Sequence, residues 1–259
     1  MRTRLRTYII LCVTAILLAS CAPAELRRIR SVDPTPLLNI LKDRSRMAGA
    51  FATTMQMNFT ENGRHFQGKA YLLVSQPQSF RLEVPGILGS TLLLMVGDGE
   101  NVWAYYPRAG AAYHTSAHGM DLSPYLPFPF PLDPAWIPFL VTGSLPPGSD
   151  YSEATAYELK SGKTVLYLDV PDWGSLRYIF GHGAVPYPME LSAQVKGGTI
   201  RVVNSKDAPH LPVRFQFRSD TATLKAELED SRVLKTIPPG AFLRPIPQNI
   251  PVRDLEIEQ

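Results

Sequence analysis

FATTMQMNFTENGRHFQGKAYLLV, residues 51–74, decides the fold class. Phe51, Thr53, Met55, Met57 and Phe59 alternate with Ala52, Thr54, Gln56, Asn58 and Thr60. Successive side chains of an extended chain point to opposite faces, so this pattern predicts a strand with one covered face. Asn62-Gly63 follows, and this pair tolerates the positive φ values of a two-residue hairpin turn. The returning segment places Phe66, Ala70, Leu72 and Val74 on one face, with His65, Gln67 and Lys69 opposite.

The same alternation continues on both sides of this hairpin. After a turn at Gln76-Pro77-Gln78, Phe80, Leu82 and Val84 are separated by Arg81 and Glu83. TLLLMV (91–96), NVWAYYP (101–107) and AAYHT (111–115) extend the meander, with a turn at Gly97-Asp98-Gly99. Strands resume at YELK (157–160), TVLYLDV (164–170), SLRYIF (175–180), MELSAQV (189–195) and TIRVVN (199–204), followed by PVRFQF (212–217) and TLKAELE (223–229). The expected fold is mainly β, an incomplete antiparallel β-barrel of about 11 strands, with short helices closing an apolar cavity.

Two helical segments interrupt the strands. In TPLLNILKDRSRM (35–47), Thr35 is the candidate cap and Pro36 the first helical residue, with Leu37, Leu38 and Leu41 on one side. Residues 116–150 carry eight prolines and no period of two. There Asp133 and Pro134 can start a second helix bearing Trp136, Ile137, Phe139, Leu140 and Val141, kept short or bent by Pro138.

At the start of the chain, Tyr8–Ala19 is a twelve-residue apolar run preceded by Arg2, Arg4 and Arg6. A membrane-spanning helix needs about 20 residues, so the segment is expected to be an export signal, not a permanent anchor. Leu18-Ala19-Ser20-Cys21 resembles a bacterial lipobox, which implies a lipoprotein signal peptide over 1–20, acylation of Cys21 and a lipidated tether over 21–34. An ordinary signal peptide that happens to precede a cysteine is the alternative. Cys12 and Cys21 are the only cysteines, so the exported domain is expected to contain no disulfide.

The formal charge of +3 shrinks on the same reasoning. Without the three arginines of residues 1–20, the 26 basic residues become 23, against 23 acidic ones. This balance lacks the basic stripe of a nucleic-acid binder. Arg27, Arg28 and Arg30 cluster after the anchor, either as a solvated tether or against anionic headgroups. Candidate chemistry is sparse. His114 and His118 have the four-residue spacing of helical metal ligands but fall in a strand end and loop, and no nucleophile elbow or phosphate loop occurs. No enzyme, metal or cofactor is expected.

The abundance of inward apolar residues carries the functional expectation. A barrel of about eleven strands is wider than the eight-strand case that side chains can just fill, so it needs a plug or a ligand. The expected cavity wall comprises Met55, Met57 and Phe59 from the first strand of the hairpin, and Phe66 and Leu72 from the second. Phe80, Leu82, Leu92 and Leu94 continue it, with Trp136, Phe139 and Leu140 from the helical insertion and Met189 and Leu191 opposite. The loop PGILG (85–89) leaves Ile87 and Leu88 at a tip where polar turn residues are usual, and exposed aliphatics there point to membrane or partner insertion.

Over residues 47–207 the chain resembles the outer-membrane lipoprotein receptor family LolB, and more distantly the periplasmic carrier family LolA. The resemblance rests on SFRLEVPGILGSTLLLMVGDG (79–99), PLDPAWIPFLVTGSLPPG (131–148) and PMELSAQVKGGTIRVVNSKD (188–207). It implies a half-barrel domain over 35–208 whose cavity accepts the acyl chains of lipoproteins. It also implies a projecting loop, here Ile87 and Leu88, that helps deliver them into a membrane. Ala22-Pro23 lacks the aspartate that holds lipoproteins at the inner membrane, so the implied site is the outer membrane, facing the periplasm. The implied partners are acylated lipoproteins or lipid and a LolA-like donor, with the chain itself a monomer. SQPQSF (75–80) offers only Gln76 where LolA-like carriers place a basic residue, which favours the receptor. Residues 209–259 exceed the usual LolB length and are expected to form a C-terminal extension packed on the same domain, with VLKTIPPGAFLRPIP (233–247) similar to the tail of LolA-like relatives. Two other functions suit the same residues: a periplasmic lipid or glycolipid carrier, or a structural accessory lipoprotein of an envelope complex.

Overall fold

A computed structural model describes residues 28–47, 49–75, 78–86, 89–116, 137–146, 150–171, 174–181, 186–195, 197–205, 212–243 and 246–254. Fifteen strands among them form one sheet. The first seven are β1 (Arg28–Val32), β2 (Ala50–Glu61), β3 (Arg64–Ser75), β4 (Ser79–Pro85), β5 (Thr91–Gly97), β6 (Asn101–Tyr106) and β7 (Ala111–Ser116). The rest are β8 (Thr155–Leu159), β9 (Thr164–Val170), β10 (Gly174–Phe180), β11 (Pro188–Val195), β12 (Gly198–Asn204), β13 (Pro212–Arg218), β14 (Ala222–Val233) and β15 (Val252–Asp254). The spatial order runs β1-β8-β9-β10-β11-β12-β13-β14-β2-β3-β4-β5-β6-β7-β15, so the sheet is open, with β1 and β15 at its edges. Neighbours are antiparallel except β15, which lies parallel to β7.

The strand number exceeds the expected eleven or so: all thirteen segments picked out in the sequence are strands, and the two edges add two more. β1 falls inside the segment expected to be a tether over 21–34. Its residues are mostly exposed, so no apolar alternation marks it. Side-chain contacts hold it instead. The Arg28 guanidinium lies 4.4 Å from the Tyr157 ring centroid and 4.8 Å from that of Tyr167, and Arg30 Nε donates to Glu158 at 2.6 Å. β15 has only three residues, and His114 pins it by an Nδ1–Asp254 Oδ1 contact of 2.7 Å while stacking on Trp103. Beyond residue 208 the chain is also central to the sheet: β14 lies between β13 and β2 and joins the two halves.

Cross-strand register aligns apolar residues into rows on the inner face. One row runs Leu168, Leu176, Ala193, Ile200, Phe217, Leu224, Phe59, Phe66 across eight strands. The next runs Leu166, Tyr178, Leu191, Val202, Phe215, Ala226, Met57, Gly68. Side chains from both halves belong to one core, so the sheet must curl toward its own inner face. Asn62 and Gly63 adopt φ of 47° and 77° at the β2–β3 turn, as the Asn-Gly pair requires.

Two α-helices among the described residues lie within the curl. α1 (Thr35–Met47) starts one step earlier than a Thr35 cap would place it. The Asp33 carboxylate accepts from the Thr35 backbone N–H at 2.9 Å, and this bond holds the Asp33 pKa below its ordinary value. Leu37, Leu38, Leu41 and Arg44 form its buried side. α2 (Ile137–Thr142) crosses the inner face and touches both β4 and β13.

A buried polar network ties these helices to the sheet. Arg44 Nε donates to the Thr142 carbonyl at 2.9 Å and a terminal nitrogen donates to Asn204 Oδ1 at 2.8 Å. Asn204 in turn donates to the Pro188 carbonyl at 3.0 Å, and the Tyr178 hydroxyl to the Ser144 carbonyl at 2.5 Å. Burial lowers the Arg44 pKa to about 10, which still leaves it protonated at neutral pH. Loss of a partner would orphan buried acceptors. Arg44→Met and Asn204→Leu should each cost about 2 kcal/mol in urea unfolding, and the double variant should cost about 1 kcal/mol less than their sum. Strict additivity would show that the two residues act separately.

Candidate functional site

The inner rows stop short of filling the curl at one end. Antiparallel strands alternate in direction, so the β2–β3 turn, the β4–β5 connection and the β6–β7 connection all emerge at the same rim. Beneath this rim lies a cavity of about 540 Å³. Its floor is Met57 and Phe59 of β2 and Leu224 of β14, Phe66 of β3 lies at its mouth, and its wall is Val84 of β4 with Leu92 and Leu93 of β5. Tyr106, Arg108 and Ala109 complete it, the last two on a single 3₁₀ turn, Pro107–Ala109, between β6 and β7. The volume falls within the roughly 300–1,000 Å³ of small-ligand sites, and an apolar lining is their usual chemistry.

Close approach of Phe66 to the backbone shapes the mouth. A Cβ on Gly68 would sit 2.9 Å from the tip of the Phe66 ring, so only glycine lets that ring lie over β3. Phe66 is 43% exposed, a large aromatic surface at the cavity mouth. Tyr106 packs edge-on against Tyr113, and burial followed by that neighbour pushes its pKa up to about 12. It is therefore neutral at physiological pH, which makes Arg108 the charged side chain of the lining.

A second cavity of about 70 Å³ adjoins the first. Met57 and Leu224 line both, while Ile137, Leu140 and Val141 of α2 roof the smaller one over Met55, Leu72 and Leu82. On the opposite face of the sheet, a wider depression of about 820 Å³ runs between β2–β4 and residues 230–238, lined by Arg81, Glu83, Asp230 and Arg232. Its charged lining suits water better than hydrocarbon.

The residues expected to form one wall thus divide. Met57, Phe59, Phe66 and Leu92 line the larger cavity, and Met55, Met57, Leu72, Leu82 and Leu140 the smaller. Phe80, Phe139 and Leu191 are packed in the core and line neither. Leu94 is a correction. It pairs with Glu83 and Tyr105 on the outer face, while Leu93 and Met95 point inward opposite Val84 and Leu82. Met189 lines neither cavity and is half-buried at the register shift where Ile179 pairs with Glu190 but Phe180 with Pro188. Cys21, Ile87, Leu88 and Trp136 lie outside the described residues.

Leu224, Val84, Leu93, Tyr106 and Arg108 enter the site without having been singled out. Leu224 and Val84 had a visible signal, since each alternates with charged neighbours, but their register against β2 and β5 did not. Arg108 had none, because a basic residue in a turn reads as solvated.

Comparison with known proteins adds the fold. No protein-family description matches the chain, and no curated protein matches it in sequence. Among solved structures, a LolA superfamily protein from Nitrosomonas europaea superposes with a TM-score of 0.51 at 12% identity, covering 80% of this chain and 96% of that one. A DUF1329 family protein from Desulfovibrio piger gives 0.51 at 8% identity, covering 82% and 98%. A lipoprotein-sorting protein domain from Vibrio parahaemolyticus, described as an outer-membrane one, gives 0.49 at 9% identity, covering 80% and 95%. The chain has a LolA-like fold.

The mouth can be tested where folding is least at risk. Phe66→Asp should keep the thermal transition within a few degrees of the parent, yet weaken binding of a fluorescent alkyl probe about tenfold by placing a charge in the apolar mouth. Unchanged probe binding would remove Phe66 from the site.

Proposed function

We propose that the chain is a lipid-anchored protein of the outer membrane that takes up acyl chains of lipoproteins from a LolA-like periplasmic donor and releases them into the bilayer. The observation that carries the reading is the position of the cavity. Val84 and Leu92 form its wall and also flank the loop that bears Ile87 and Leu88, and the Gly86 N–H donates to the Ser90 carbonyl at 2.5 Å to close the base of that loop. An apolar cavity whose wall strands run into a connection with an aliphatic sequence is what handover of hydrocarbon to a membrane needs. The LolA-like fold supports the same reading.

The energetics explain why such a cavity would exist. Each methylene kept from water is worth about 0.8 kcal/mol, so a triacylated anchor with some 40 methylenes would face on the order of 30 kcal/mol in crossing the periplasm exposed. Apolar walls remove much of that barrier, and the bilayer completes the transfer downhill. Binding and release suffice, with no bond made or broken. Acylation of Cys21 would keep the cavity beside its destination membrane, and a monomer suffices for the task. A periplasmic lipid or glycolipid carrier would use the same cavity for another ligand. A structural accessory role is less well served, because a lining of this volume has no use there.

Two variants test the reading. Leu88→Glu should abolish delivery of a lipoprotein to outer-membrane vesicles while leaving acyl-probe binding intact, and undiminished delivery would sink the loop's role. Cys21→Ser should move the protein from the membrane to the soluble periplasmic fraction. A variant that stays membrane-bound would rule out anchoring through Cys21.

A further inference from the structure

The charged residue of the cavity wall narrows the class of ligand. Arg108 lines the cavity from the β6–β7 turn, and every other lining residue is apolar or a neutral tyrosine. Among the described residues it makes no ion pair, as is also true of Arg64, Arg218, Arg232 and Arg253, but of these it alone lines the apolar cavity. Its aliphatic stem can lie along the apolar wall with the guanidinium at the water-exposed rim. That placement offers a fork of donors to a carboxylate or phosphate without burying the charge.

The far end of the cavity is closed by side chains that can yield. Met57 pairs across β2–β14 with Ala226, and Leu224 pairs with Phe59, so Met57 and Leu224 are diagonal neighbours on the inner face. Diagonal neighbours lie about 7–8 Å apart, within reach of long side chains. Both residues line the two cavities, so together they form the septum between them. Met57 has small residues, Ala226 and Gly68, on either side of it in its row, which leaves its flexible thioether room to move.

We propose that the cavity selects a single-chain amphiphile with an anionic head, carboxylate or phosphate, bound with its head on Arg108 and its tail against Met57 and Leu224. The septum then sets the chain length accepted. The inference rests on the acyl-binding reading above in its lipid-carrier form, with a free lipid in place of a lipoprotein's triacylated anchor, and adds to it the head chemistry and the ruler. Each methylene that fits should raise affinity about fourfold, and the gain should cease where the tail reaches the septum.

The test uses the full-length protein at a constant vesicle-lipid concentration, with n-alkanoates, n-alkyl phosphates and n-alkanols of increasing length displacing a fluorescent alkyl probe. The anionic series should bind about fivefold tighter than alkanols of equal length, and Arg108→Gln should remove that preference. A stronger preference for the phosphates identifies a phosphate-headed lipid, and one for the alkanoates a free fatty acid. Either result supports the proposal. Leu224→Ala should move the plateau in affinity outward by about two methylenes, and Met57→Val should do the same if the first variant folds poorly. Alkanols that bind as tightly as the anions, or a preference that survives Arg108→Gln, overturn the head assignment. A plateau unmoved in both septum variants overturns the ruler. Failure of all three series to displace the probe would instead refute acyl binding itself.

Discussion

The constraint on which this structure depends is that the described residues form a single open sheet with an apolar face and, among them, no second sheet to cover it. Fifteen strands in one layer expose their inner rows unless the layer bends back on itself, and the union of residues from both halves in one core shows that it does. β14 and β2 are the long central strands around which this happens, twelve residues each and paired over most of their length. Residues at the C-terminal side of the chain are therefore as much a part of the cavity as those near its beginning, and Leu224 reaches the site by that route.

Where the curl closes well, side chains and helices fill it. Tyr178, Phe180, Phe51 and Phe80 are fully buried, and α2 with its Arg44–Thr142–Asn204 network is fastened across the trough. A buried guanidinium held by neutral acceptors costs desolvation, seen in its lowered pKa, and contributes geometric definition in exchange. Toward the rim the rows continue, and among the described residues neither helix covers them. The cavity is the space left over, and its position among three hairpin connections gives it a mouth.

The elements differ in how plainly they could be read. β2 and β3 were legible because a polar residue separates nearly every apolar one, and Asn62-Gly63 fixes their register. β5 was legible as a strand but not in phase, since TLLLMV is apolar at almost every position and only pairing with Glu83 and Tyr105 puts Leu94 outside. β1 was hidden because an exposed edge strand has no buried face to leave a period. Met189 sits at a bulge, which inserts a residue without a signature in composition.

Local chemistry in the sequence determined the fold class, the hairpins, the two helical segments and the apolar character of the inner face, because these follow from alternation and turn residues a few positions apart. The tertiary structure alone decided which inward residues face a cavity and which face each other. That choice depends on pairings between residues more than a hundred positions apart, such as Leu224 with Phe59, and on the curl they impose. Arg108 shows the limit most plainly: a turn arginine by sequence, it becomes part of a hydrocarbon cavity's wall only once β6 and β7 are set beside β5.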